Sequence, residues 1–204
     1  MTTLLAIDTA APRLGLALLR GEAVDVLDEP MTTGQAERLF PAIAELLARS
    51  GTTYADLTRI AVTTGPGSFT GLRIGLSAAR GLGLALGIPV IGLGSLAAIS
   101  LGAEPLAPLV VLLDARRGEA YTQHFSAPGQ PIDGPQLMKL EDAQLRVPSS
   151  IKPVTDPTVD MAAFARYAVA LDPVLFPPEA AYIRDADAKP QEKFRVPRVS
   201  ESAP

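Results

Sequence analysis

The chain has 204 residues, of which 48% are apolar and 20% charged, with a formal net charge of −4; this is enough for one or two domains that bury roughly 70% of the unfolded surface. It has no cysteine and a single histidine, His124, which excludes disulfides, zinc–thiolate sites and cysteine nucleophiles. The acidic balance opposes unaided binding to a phosphate backbone, and no apolar run reaches the ~20 residues needed to span a bilayer.

Met1 to Asp8 meets an acid within eight residues and has no basic start, so it reads as a first strand of a cytoplasmic protein and not as a leader. Residues 3 to 8 and 14 to 19 are apolar runs forming a hairpin, and Glu22 to Asp28 adds a third strand. A helix is expected from Gln35 to Ser50, with Thr33 as its cap and Pro41 either kinking it or marking a restart after a looser first turn. Arg59 to Thr64 reads as a strand and Gly71 to Leu86 as a helix. Pro89 to Leu93 is another strand, followed by a short helix through Leu101 capped by Ser95. Pro108 to Asp114 has the continuous apolarity of a buried strand, Glu119 to Ser126 continues a second meander, and a helix lies near Val159 to Leu171. The order implies an α/β fold in which a second unit partly repeats the first. Lys189 to Pro204 is polar, with three prolines and no periodicity, as expected of a flexible tail.

The informative segment is Gly65-Pro-Gly-Ser-Phe-Thr-Gly71 and the helix after it. Positions 71, 75, 79, 83 and 87 are Gly, Gly, Ala, Gly, Gly, a small-residue ridge at helical spacing. Each interior glycine costs about 1 kcal/mol relative to alanine, so a close neighbour along the ridge is expected to compensate. Arg73, Ser77 and Arg80 share the opposite face. The helix is either a core helix under its sheet or one that also packs against a partner. The broad apolar set of the preceding helix, Leu39, Phe40, Ile43 and Leu47, favours the partner. The loop is not a Walker loop, because Phe69-Thr70-Gly71-Leu72 stands where Gly-Lys-Ser/Thr is required and the first lysine is Lys139. Gly65, Gly67 and Gly71 also lack the dinucleotide spacing.

Leu5-Ala-Ile-Asp8-Thr9, Gln35-Ala-Glu-Arg-Leu-Phe-Pro41, Gly65-Pro-Gly-Ser-Phe-Thr-Gly-Leu-Arg-Ile-Gly75, Asp114-Ala-Arg-Arg-Gly-Glu-Ala-Tyr121 and Tyr182-Ile-Arg-Asp-Ala-Asp-Ala-Lys-Pro190 resemble successive signatures of the TsaB (YeaZ) family. The resemblance is dense over residues 1 to 125 and sparse beyond. It implies an actin/hexokinase/Hsp70-like (ribonuclease H-like) fold, a mixed sheet flanked by helices with a reduced second lobe. The expected division is an N-terminal lobe 1–104, a shortened lobe 105–188 and a tail 189–204.

The resemblance further implies a non-catalytic scaffold that activates TsaD, the subunit that transfers threonylcarbamoyl to the adenosine beside the tRNA anticodon. Pairing through the first two helices is implied, with TsaD or as a homodimer when alone, together with contact to the ATPase TsaE and to tRNA only through the complex. The interface expected on this basis comprises Leu39, Phe40, Ile43, Leu47, Gly71, Gly75, Ala79 and Gly83. The motif loop comprises Gly65, Pro66, Gly67, Ser68, Phe69, Thr70 and Arg73. No catalytic residue, cofactor or metal is expected.

The chain departs from the family pattern at Gln35, where a histidine is usual, and in the shortened stretch Ser149 to Val159. Asp8 and Asp114 end corresponding strands; they either cap those strands or organise a metal and phosphate across a cleft. His124 is read as a half-buried strand histidine, and Arg116, Arg117 and Glu119 either pair at the surface or meet a partner. The alternative function is a small-molecule kinase or ATPase of the same superfamily. A metallopeptidase lacks every histidine pair it would need.

Overall fold

The computed structural model describes residues 2–103 and 108–183. The expected tail, 189–204, lies outside them. The first half forms a five-stranded sheet in the order β3-β2-β1-β4-β5, built from β1 (Thr3–Asp8), β2 (Arg13–Arg20), β3 (Ala23–Pro30), β4 (Arg59–Thr63) and β5 (Val90–Leu93). The first three strands are an antiparallel meander, and β4 and β5 run parallel to β1. This is the ribonuclease H-like arrangement of the actin/hexokinase/Hsp70-like fold.

Every residue of β1 is buried, because both faces of the sheet are covered, and so the strand reads as continuous apolar sequence. Leu5, Ile7, Leu16, Leu18 and Val62 face α1 (Gln35–Arg49) and α2 (Phe69–Leu86). Leu4, Ala6, Ala17 and Ile91 face α3 (Ser95–Ser100), α5 (Met161–Ala168) and the second sheet. The expected boundary at 104/105 crosses this second core, since Phe164 and Ala165 of α5 pack on the first sheet.

The second sheet pairs β6 (Leu109–Arg116) with β7 (Glu119–Ala127), and β7 with both β8 (Gln130–Pro131) and β9 (Gln136–Lys139). After α4 (Leu140–Leu145) the chain touches β6 in a single parallel bridge, Val111 to Val154. β6 and β7 therefore answer to β1 and β2, six-residue α4 to α1, the bridge to β4, and α5 to α2. The second lobe repeats the first unit in shortened form, with its parallel strand reduced to one residue.

Local chemistry differs from expectation at three caps. The residue before α1 is Gly34 at φ 86, not Thr33, and Pro41 does not interrupt the helix. Ser95 opens α3 without capping it, and its Oγ instead accepts a hydrogen bond from the Gly65 N–H. α2 starts two residues earlier than its periodicity indicates, because Ser68 Oγ accepts from the Gly71 N–H at 3.2 Å. It ends at Gly87, whose φ of 66 suits the left-handed cap.

Candidate functional site

Two surfaces stand out, one on α1 and α2 and one between the two sheets. The first begins with the placement of α2. A methyl at Gly71 would collide with the Thr9 carbonyl, one at Gly83 with Val90, and one at Gly75 would lie 2.5 Å from Thr9 Oγ1. The small-residue ridge therefore lies against the chain's own sheet, and its glycines allow helix and strands to approach closely. Leu39, Ile43 and Leu47 of α1 are likewise buried beneath their helix.

This corrects the expected interface. Gly71, Gly75, Ala79 and Gly83, with Ile43 and Leu47, are core residues that pack inside the protein, and Leu39 is buried as well, at the floor of the groove between the helices. Of the eight, Phe40 is exposed, at 47%. What the helices offer to solvent is an apolar groove of about 510 Å³ between them, lined by Ala36, Phe40, Ile74, Ser77 and Gly81, with Leu39, Ala78 and Leu82 at its base. A methyl at Gly81 would meet nothing within 4 Å among the described residues, and Leu84 nearby on the same helix is 87% exposed. Gly81 was legible in principle, since it is the α2 glycine that falls off the four-residue spacing.

In the motif loop, Gly65 and Pro66 are buried, while Gly67, Ser68, Phe69, Thr70 and Arg73 are exposed. A methyl at Gly67 would lie 2.7 Å from the Ala10 carbonyl. The Ser68 N–H donates to that same carbonyl at 2.8 Å, and Thr9 Oγ1 donates to the Gly71 carbonyl at 2.7 Å. The glycine run thus joins the first hairpin turn to the start of α2. At its outer edge the Arg73 guanidinium lies 3.7 Å from the Phe69 ring centroid, and Phe69 stacks at a tilt on Tyr182.

The second surface is a cleft of about 620 Å³ between the lobes. Asp8 and Asp114 both line it, with Ser68, Ser95, Arg116 and Tyr121. Asp8 is 3% exposed; its Oδ1 accepts from Thr63 Oγ1 at 2.5 Å and from the Ala10 N–H at 3.1 Å. Burial pushes its carboxyl above the usual range, although these hydrogen bonds oppose the rise. Asp114 is exposed and accepts from the Arg116 N–H at 2.7 Å, which steadies a turn whose Arg116 and Arg117 both have positive φ. Both acids therefore close turns, and both also look into one cleft. Among the described residues no group of three or more His, Asp or Glu is placed to hold a metal ion, and no helix is long and apolar enough to cross a membrane. His124 sits on β7 with Nδ1 2.8 Å from Asp133 Oδ2, a partner the sequence did not indicate.

Residues 31–160 match the family model described as TsaD: tRNA N6-adenosine threonylcarbamoyltransferase. An uncharacterised protein of Mycobacterium tuberculosis is 35% identical over 93% of this chain and 95% of its own length. The TsaB protein of Escherichia coli is 36% identical over 60% of this chain and 54% of its own, so the chain's match spans about half the length of that curated relative. The solved structure of YeaZ from Pseudomonas aeruginosa covers 89% of this chain and 100% of its own, with TM-score 0.73 and 25% identity. With a relative 35% identical over nearly its whole length, named TsaB relatives at 36–39% identity and the fold shared almost throughout, the chain belongs to the TsaB (YeaZ) family.

Proposed function

We propose that this protein is the non-catalytic partner subunit of a TsaD-type transferase in tRNA threonylcarbamoyladenosine biosynthesis, and that it grips TsaD through the groove between α1 and α2. Named members of the family are threonylcarbamoyladenosine biosynthesis proteins. The observation carrying the proposal is the groove itself: two adjacent helices turn Phe40, Ile74 and Gly81 outward around an apolar floor. Exposed apolar surface of this kind favours a partner over solvent. Alone, the chain would cover the same surface with a second copy. TsaE would join the assembled pair, and tRNA would be met through the complex.

The test is retention of TsaD by Gly81→Leu. The position has open space, and leucine is the better helix former by roughly 0.8 kcal/mol, so the variant folds while its side chain fills the groove. TsaD should be lost from co-purification. Normal retention by the folded variant would refute the groove as the contact.

The cleft favours a second function, a small-molecule kinase or ATPase, because Asp8 and Asp114 share it. Among the described residues Arg116 is the cationic side chain of its lining, with no lysine beside it, a poor cradle for a triphosphate. ATP turnover by the purified chain, abolished in Asp8→Asn, would establish that function instead.

A further inference from the structure

We propose that the turn from Asp8 to Pro12 is a lever that couples the inter-lobe cleft to the α1/α2 groove, so that what fills the cleft sets how well the groove receives its partner. The proposal rests on the groove being the partner surface, and it concerns how that surface is regulated.

Three observations carry it. The turn is a wall of the cleft, where Asp8, Ala10, Ala11 and Pro12 all face the cavity. The same turn holds α2 from beneath, through Thr9 Oγ1 to the Gly71 carbonyl and through the Ala10 carbonyl to the Ser68 N–H. These contacts have no slack, since the absent Cβ atoms of Gly67, Gly71 and Gly75 are what let Ala10 and Thr9 come so near. A tightly packed interface of this sort shifts as a unit and does not deform gradually.

Both groove helices also begin at the cleft. Gln35, the first residue of α1, and Ser68, the cap of α2, line the cavity. Ala36 and Ile74, one residue and about one and a half turns further along, line the groove. A molecule seated between the lobes therefore touches the starts of both helices and the turn that fixes one of them.

The absence of native cysteine permits a direct test. Thr155→Cys places one thiol at the exposed far wall of the cleft, and Leu145→Cys places one on the outer side of α4, at a position 85% exposed. Each is labelled with N-phenylmaleimide, and amide hydrogen exchange is followed over Ile74 to Leu82, alongside retention of TsaD. The cleft label should change exchange in that stretch several-fold and the α4 label should not. In the Thr9→Val background the effect of the cleft label should shrink. Equal exchange with the two labels overturns the lever, and so does an undiminished effect in Thr9→Val; if Thr9→Val does not fold, the two labels in the Thr9 chain decide alone. Exchange reads the lever without any partner, whereas the Gly81→Leu experiment reads the groove without any label, so the two ideas fail separately.

Discussion

Thr9 Oγ1 donates a 2.7 Å hydrogen bond to the carbonyl of Gly71 across 62 positions of sequence, and the same residue's own carbonyl occupies the space a Gly71 side chain would need. This contact explains why the glycine run is so specific. It is a joint between a hairpin turn and a helix, and the residues on both sides are fixed by how close the two backbones come.

The joint makes α2's glycines unequal. Gly71→Ala forces a methyl into a backbone carbonyl and should cost about 3 kcal/mol. Gly81→Ala meets open space and should raise stability by up to ~1 kcal/mol through helix propensity. Urea unfolding of the two variants checks this; similar destabilisation by both would mean that α2 sits differently on the sheet.

Thr9→Val keeps the shape and removes the donor. It should cost about 1–2 kcal/mol, because the buried Gly71 carbonyl loses that partner, while Thr9→Ser should recover most of it. Thermal unfolding of the pair measures the difference.

Asp8 supplies a pH dependence. Its folded pKa is raised above the ordinary 3.8, burial being the first cause, so its stabilising contribution is complete below the unfolded value and is lost as pH rises through the folded one. Asp8→Asn keeps an oxygen for Thr63 and Ala10 and never ionises. The variant should therefore gain on wild type as pH climbs from 4 toward 8, read as the difference in melting temperature. A constant difference would remove Asp8 as the titrating group.

Ser95 is a quieter case. Its Oγ accepts the buried Gly65 N–H, so Ser95→Ala should cost roughly 1–3 kcal/mol by stranding that donor. Thermal unfolding of the variant measures the loss.

Period and chemistry in the sequence were enough to determine the elements of the first lobe. Alternating or continuous apolar runs mark β1 to β5, and Gly87 and Pro89 stop α2. The dense motifs mark the family, because they combine residue types that few backbones require together. The second lobe was less legible: α4 is six residues long, and one parallel bridge at Val154 replaces a strand, so neither leaves a period to read. Tertiary structure alone decided which side of α2 is free. The small-residue spacing announces a close neighbour without saying whether it is another chain or the protein's own sheet, and the backbone of Thr9 and the side chain of Val90 supply the answer. The meeting of Asp8 with Asp114 in one cleft was likewise decided in three dimensions, because it depends on how two sheets pack and not on any spacing along the chain.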